Sequence, residues 1–455
     1  MGDTVNAKLS DLQICDRDAH LHPFTSVHDL LATGPTLIKR GSGCILEDAD
    51  GNRLYDAAAG LWCVNIGHGR REVIQAITEQ LEQLAFFHTF NGMGNEPAAK
   101  LARRILDVAP ANMRRVFFGN SGSDANDSAV KLIWYYNNLR GRPKKKTIIA
   151  RNRAYHGVTV MAASLTGLPG VHRMFDLPLS SVRHVSCPDT YRFPEREAAF
   201  YAEELENLIL AEGADTIAAF FAEPVMGTGG VLIPPRDYFD VISAVLRKYD
   251  VLLVSDEVIT GFGRIGTWFG LEKFGFVPDL ITCAKGLTSN YIPMSALIIG
   301  DKIWSELESK QNTVGVWGHG FTTSSHPVAA AAGLATLKII EEEHLLGRAS
   351  MMGVKLADAL RNAIGGHRLV GDVRGCGLMV GIELVADRAS KQSFDPAIGV
   401  ARTVQRASLA AGVLVRALPI NDVIALSPPL TVDEATIGEI VKRFAVGLDT
   451  ASGAI

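Results

Sequence analysis

Cysteine is sparse in this chain, and its placement excludes more than its number. The six residues, Cys15, Cys44, Cys63, Cys187, Cys283 and Cys376, are scattered through 455 positions with no C-x-x-C pair. That rules against a zinc ribbon or a disulfide framework and suits a reducing, cytoplasmic setting. No apolar run approaches the roughly 20 residues of a membrane span. The region around Asp11, Asp16, Arg17 and Asp18 has no apolar core of a secretory signal. Neither sign of charge dominates: 45 Lys and Arg against 49 Asp and Glu leave a net charge of -4, with no basic excess to attract nucleic acid or an anionic membrane. Neither a G-x-x-x-x-G-K-[ST] loop nor a G-x-S-x-G elbow occurs. Repeats and low-complexity tracts are missing too.

What is present is length and alternation. A chain of 455 residues exceeds the size at which one core keeps growing, so two domains are expected. The segment 45–55 reads as a hairpin around Asp50-Gly51. Apolar positions Val73, Ile74, Ile77, Leu81, Leu84 and Ala85 recur at helical spacing between Arg70 and Phe87. Short apolar runs at 115–118, 147–150, 216–221, 251–255, 279–284 and 294–299 read as strands, with a helical stretch after Asp124 to about Asn138 and a helix near 237–249 between them. Such alternation predicts an α/β fold with a mostly parallel sheet. After His326-Pro327 the texture changes to a long apolar helix from Val328, then short strands of antiparallel character at 378–384, 413–417 and 423–426. Helices near 350–364, 396–411 and 433–448 accompany them, giving a smaller α+β unit.

The chemistry concentrates between Val251 and Lys285. A buried strand at 251–255 delivers Asp256 and Glu257 at its carboxyl end, where open α/β sheets bind ligands. The run 279–284 delivers Lys285 and Gly286. A lysine half removed from water has a lowered pKa and becomes a usable nucleophile. An amine on one strand end and an acid on another match the two needs of pyridoxal phosphate, a Schiff-base partner for its aldehyde and an acid for its pyridine nitrogen. The blander alternative, a surface lysine and a turn-capping aspartate, is common.

Other loops support that reading unequally. Asn120-Ser-Gly-Ser123 lies between a strand and a helix, where backbone N–H groups bind phosphate or an ordinary N-cap forms. Tyr155-His156-Gly157 follows a strand and could stack on a flat cofactor or simply fill the core. His156 has no histidine at ligand spacing, so no metal site is expected. Gly261-Phe-Gly-Arg-Ile-Gly266 matches the dinucleotide fingerprint in form, but Gly270, Gly275 and Pro278 follow where a clean helix should run, which argues for a loop. Lys144-Lys-Lys146 reads as a solvated turn. Arg416 interrupts an apolar run and either makes a structural ion pair or reaches for a carboxylate.

Taken together these residues resemble the class III pyridoxal-phosphate-dependent aminotransferases, and more narrowly the amine:pyruvate, or ω-transaminase, subgroup. The resemblance runs from about Trp62 to Pro429. It rests on Asn120-Ser-Gly-Ser-Asp-Ala125, Tyr155-His-Gly157, Glu223-Pro-Val-Met-Gly227, the stretch from Ser255 to Arg264, Ala284-Lys-Gly286, and Gly320-Phe-Thr322 with His326-Pro327.

The resemblance implies a fold-type-I homodimer with active sites at the subunit interface, and it is compatible with dimers pairing into tetramers. It divides the chain into an N-terminal segment 1–55 packing with the small domain, a large cofactor domain 56–326 and a small domain 327–455. It makes Lys285 the Schiff-base and proton-transfer residue and Asp256 the partner of the pyridine nitrogen. Val258 and Tyr155 sandwich the ring, and Ser121, Gly122 and Ser123 surround the phosphate. His156 and Glu223 belong to the cofactor set, and Thr322 adds a contact from the neighbouring subunit. Trp62, Arg416, Phe24 and Phe90 line the substrate pocket.

Two departures from the family pattern matter. Many members have Gln at the position of Met226, bonding the cofactor phenolate, and Met cannot donate. Ornithine-type enzymes carry a Glu at the position of Thr228 that pairs with the arginine matching Arg416, and Thr228 cannot neutralise that charge. The expectation is a ping-pong transamination from a primary amine or ω-amino acid to a keto acid, with pyruvate becoming alanine. The alternatives are a related racemase or decarboxylase, a nicotinamide dehydrogenase built on the Gly261 loop, and a non-enzymatic binding protein.

Overall fold

The computed structural model describes residues 9–420 and 422–455, so residues 1–8 of the expected N-terminal segment lie outside the described residues. Seven strands form the central sheet. In chain order they are β1 (Met113–Gly119), β2 (Thr147–Arg151), β3 (Val182–Val185), β4 (Ile217–Ala222), β5 (Leu252–Asp256), β6 (Leu280–Cys283) and β7 (Ser295–Gly300). Across the sheet they run β1-β7-β6-β5-β4-β2-β3. The pairs β3/β2, β2/β4, β4/β5 and β5/β6 are parallel, whereas β7 is antiparallel to both β6 and β1. Only β7 is therefore reversed. The carboxyl ends of β1, β2, β4, β5 and β6 all open on one edge, and each is followed by one of the loops singled out above.

Burial explains why these segments are strands. All six residues of β4 are buried, as expected of a strand covered on both faces. Its neighbours Phe220 and Phe221 are both fully buried but join different apolar clusters, because successive strand side chains point to opposite faces. Removing a Phe side chain from water contributes roughly 1.5–3 kcal/mol. One cluster is closed by helix α1 (Gly122–Leu139) through Ala129, Val130, Leu132 and Ile133.

Two smaller sheets flank this core. The predicted hairpin is Ile45–Asp48 paired with Arg53–Asp56, extended outward by Ile38–Ser42. The C-terminal sheet orders Val370–Cys376, Met379–Leu384, Val423–Leu426 and Arg416–Ala417, all antiparallel. The run 413–417, expected to be one strand, splits. Val413–Leu414 adds in parallel to Arg53–Asp56, while Arg416–Ala417 pairs with Val423–Leu426. Val415 between them is buried. The expected helix at 70–87 also stops early, at Gln83, where Leu84 turns extended (φ -159°, ψ 102°). The glycine-rich stretch 261–269 is turns, and the helix after it begins only at Gly270, which is the loop its composition indicated.

Candidate active site

Five strand ends converge on one crevice. From β1 the chain turns into α1. The Ser121 hydroxyl accepts the Asp124 N–H, and the Asp124 carboxylate accepts the N–H groups of Asn120 and Ser121 (2.9 and 3.0 Å) and the Ser295 hydroxyl (2.8 Å). Ser121 thus caps its own helix, and the first-turn N–H groups of Gly122 and Ser123 have no intrahelical acceptor. A Cβ at Gly122 would sit 2.9 Å from a Val258 methyl, and one at Gly157 would sit 2.4 Å from the Ser123 hydroxyl. Only glycine lets these three loops close on one another. Ser123 Oγ in turn accepts the Val158 N–H at 3.1 Å.

Asp256 ends β5 and is buried. Its Oδ2 meets His156 Nδ1 at 2.7 Å and accepts Asn126 Nδ2 at 2.9 Å, while Oδ1 accepts the Val258 N–H at 3.0 Å. Burial by itself raises its pKa, but the bonds from His156, Asn126 and Val258 outweigh it and hold the carboxyl below its ordinary value. The adjacent Glu257 behaves oppositely. It faces the other way, accepting the N–H groups of Gly270 (2.7 Å) and Leu271 (2.8 Å) and the hydroxyls of Ser255 (3.2 Å) and Thr260. Burial dominates there and pushes it up to about 7. Glu257 fastens the loop behind the strand, and Asp256 alone faces the crevice.

Lys285 follows β6 with a left-handed backbone (φ 41°), a conformation that a side-chain-bearing residue adopts at a cost. Burial, with the positive charge of Arg416 adding to it, brings its amine down to about 8 against the opposing pull of Asp256. Glu223, just past β4, is buried and accepts the N–H groups of Tyr155 (3.2 Å) and Gly227 (3.0 Å); burial raises its pKa. Tyr155 is half-buried, its phenol also raised by burial while Arg416 opposes that shift.

The outer wall is Trp62, buried with φ 64°. A Cβ at Gly227 would lie 3.4 Å from its ring, and the Arg416 guanidinium carbon is 5.8 Å from the ring centre. Among the described residues no carboxylate pairs with Arg416, so the structural ion pair is not formed; Tyr155 is the group whose charge acts on it. Thr228 is buried beside this wall, and the Met226 side chain packs with Ala154, Cys187 and Leu232 instead of offering a donor.

The remaining expected residues stand at the rim. Phe24 is 74% exposed, with its ring 6.5 Å from that of Tyr155. Phe86, Phe87, Phe90 and Met93 are also exposed on this chain. Thr322 is exposed, beside Thr323, whose hydroxyl donates to Asn120 Oδ1 at 2.9 Å. On the exposed N-terminal segment, away from these strand ends in sequence, Asp16 gives one oxygen to His20 Nδ1 (3.1 Å) and the other to His22 Nε2 (2.5 Å).

Asn126 and Thr282 were not singled out in the sequence. Both are fully buried against Asp256. The available signal was weak: a lone Asn inside an otherwise apolar helical face, one turn after the glycine that opens the loop.

The crevice therefore offers free amides and a hydroxyl at a helix start, an ionised buried acid and a low-pKa amine. Over residues 31–448 the chain matches the family model described as aminotransferase class-III. It is 45% identical over 444 residues to the diaminobutyrate–2-oxoglutarate transaminase of Halomonas elongata, covering 95% of this chain and 94% of that one. It is 42% identical to the chloroplastic gamma aminobutyrate transaminase 3 of Solanum lycopersicum, covering 94% and 83%. Its structure superposes on the ω-transaminase of Pseudomonas jessenii in complex with PMP with a TM-score of 0.94, at 44% identity, covering 98% of this chain and 99% of that one.

Pyridoxal phosphate fits the residues present. The first-turn N–H groups of Gly122 and Ser123 have no intrahelical acceptor and suit a phosphate, and the buried, ionised Asp256 carries the charge that a protonated pyridine nitrogen requires. This agreement, with a family match over nearly the whole length, identifies the chain as a member of the class III aminotransferases, enzymes that work with pyridoxal phosphate.

Proposed function

We propose that this aminotransferase carries an amino group from a primary amine or ω-amino acid to a small keto acid, pyruvate by preference, in two half-reactions. The observation that carries this reading is Arg416, a half-buried guanidinium with no carboxylate partner among the described residues, set between Trp62, Tyr155 and Lys285. A planar guanidinium left open in a pocket is suited to hold a carboxylate in bidentate fashion. The short span between Arg416 and the Trp62 ring favours a keto acid with one carboxylate close to its carbonyl.

Bound in the crevice, pyridoxal phosphate supplies an electron sink for the carbanion that forms when a proton leaves the carbon bearing nitrogen. The chain's own residues do the rest. Lys285 would hold the cofactor aldehyde, and its amine, freed once the donor nitrogen takes its place and lowered in pKa by burial, would accept and return that proton. Asp256 keeps the pyridine nitrogen protonated. Val258 and Tyr155 hold the ring flat, and Ser121, Gly122 and Ser123 receive the phosphate, with Glu223 and His156 fixing the surrounding loops. Trp62, Phe24 and Phe90 shape the donor side, where Arg416 swings aside for donors that lack a carboxylate.

The same reading makes the active enzyme a homodimer. The exposed Phe86, Phe87, Phe90 and Met93 form an apolar edge beside the exposed Thr322, and a second copy would cover that edge and bring Thr322 to the neighbouring phosphate site. It divides the chain at about 56 and 327 and places it in the cytoplasm, in keeping with six unpaired cysteines and with no described helix being long and apolar enough to cross a membrane.

The test is the visible spectrum of the cofactor-loaded enzyme. The Schiff-base band should bleach with an amine donor and return on adding pyruvate. Return with 2-oxoglutarate but not pyruvate would overturn the acceptor assignment. In the same assay Arg416→Ala should raise the KM for pyruvate about tenfold or more, since charge-assisted bonds are worth roughly 1.5–3 kcal/mol; an unchanged KM would remove Arg416 from acceptor binding.

A further inference from the structure

Asn126 lies in the second turn of α1, completely buried, and its amide joins four elements of the fold. Its Nδ2 donates to the His156 carbonyl at 2.6 Å and to Asp256 Oδ2 at 2.9 Å. Its Oδ1 accepts the Thr282 hydroxyl from β6 at 2.8 Å. The orientation of the amide is fixed by chemistry. The carbonyl and the carboxylate can only accept, so both protons of the NH2 group must face them and the oxygen must face the hydroxyl.

Every hydrogen-bonding site that matters is thereby used. Asp256 Oδ2 receives two donors, Asn126 and His156, and the outer nitrogen of His156 has no partner among the described residues. The His156 ring also stands edge-on to Phe221, 6.0 Å between centres, so this side of the carboxylate is sealed from water. In such surroundings a carboxylate that lost one donor would have none to replace it.

We propose that Asn126, itself held by Thr282, is a positioning residue that keeps Asp256 ionised and aimed at the cofactor's ring nitrogen. The inference rests on the function proposed above and goes beyond it by locating control of the cofactor's electronics in a side chain on α1. Asn126 touches neither substrate nor reacting atoms. It ties Asp256 to the same helix whose first turn receives the phosphate, so the acid and the phosphate site are set by one rigid body.

The decisive comparison uses the protein and its Asn126→Leu, Thr282→Val and Thr282→Ser forms, each stripped of cofactor and titrated with pyridoxal phosphate. Asn126→Leu removes a donor from Asp256 without adding charge, leaving the carboxyl less firmly ionised, and it should weaken cofactor binding by about tenfold or more. It should also move the pH midpoint of the loaded enzyme's visible band upward, because a less firmly protonated ring nitrogen lets the imine keep its proton to higher pH. Thr282→Val should shift both in the same direction and by less, and Thr282→Ser, which keeps the hydroxyl, should behave as the parent does. A purely structural role would lower the melting temperature of the cofactor-free protein and leave the spectral midpoint in place, and that result would overturn the proposal. Equal behaviour of the Val and Ser forms at position 282 would remove Thr282 from it. Failure of the unaltered protein to develop a visible band would sink the functional reading itself, a separate outcome.

Discussion

The floor and the rim of the crevice are built on different terms. On the floor, Asp256 and the residues that support it, Asn126 and Glu223, are buried and their hydrogen bonds come from within the chain. On the rim, Phe24, Phe87, Phe90 and Thr322 are exposed. A floor closed by one chain can prepare the chemistry alone; a rim of uncovered aromatic rings needs a cover. In the proposed homodimer, the contrast separates what each copy brings to catalysis from what assembly adds.

Substitutions can break that contrast or sharpen it. On the floor, Lys285→Ala should reduce transamination by at least about a thousandfold at any protein concentration, since an essential acid–base group contributes 10²–10⁴-fold or more; steady-state alanine formation measures it. On the rim, Phe87→Glu should act only through assembly. Sedimentation should show a larger share of single chains, and specific activity should fall about tenfold on dilution and recover on concentration. A loss independent of concentration would place Phe87 in the pocket and erase the distinction.

The smallest effect is a matter of pH. With its amine at about 8, Lys285 is free in about one molecule in ten at pH 7, against about one in several thousand for an ordinary lysine. Capture of pyridoxal phosphate by the cofactor-free enzyme should therefore quicken about tenfold per pH unit and level off near pH 8. Arg416→Ala removes a charge that lowers this pKa, so the plateau should move to higher pH in stopped-flow absorbance traces.

The floor was largely legible in the sequence, because buried parallel strands are continuous apolar runs and the residue after each is conspicuous when charged. Asp256 and Lys285 stood out in this way. Asn126 did not, since one polar residue in a helix resembles a solvated face until its burial is known. Three strands were also missed, among them Ile38–Ser42, which carries Lys39 and Arg40. Val182–Val185 carries Arg183 and His184 at its centre, and Val370–Cys376 mixes Gly371, Asp372, Arg374 and Gly375 among its apolar residues. Both pair at a sheet edge, where polar side chains are tolerated. The helix Glu96–Val108 was passed over despite its amphipathic spacing, with Asn95 capping it and Pro97 in its first turn, and so was Ala198–Glu212, whose apolar residues do not keep to one face. The break at Val415 had no local signal, because which sheet a two-residue strand joins is decided by tertiary pairing.

That break has a consequence for how the enzyme comes into being. Tyr55 finds its partner in Val413 and Asp56 in Leu414, a pairing that spans most of the chain, and Arg416 lies two residues beyond it. Contacts so distant in sequence form late, after a large loop has closed. On the ribosome the N-terminal hairpin and the Trp62 segment must wait for nearly the whole chain to emerge before the strand that completes their sheet arrives. The same arrival sets Arg416 over the Trp62 ring. A nascent chain could thus hold the floor around Asp256 and Lys285 before the segment carrying Arg416 joins it, so the substrate selection proposed for Arg416 would be completed after the floor.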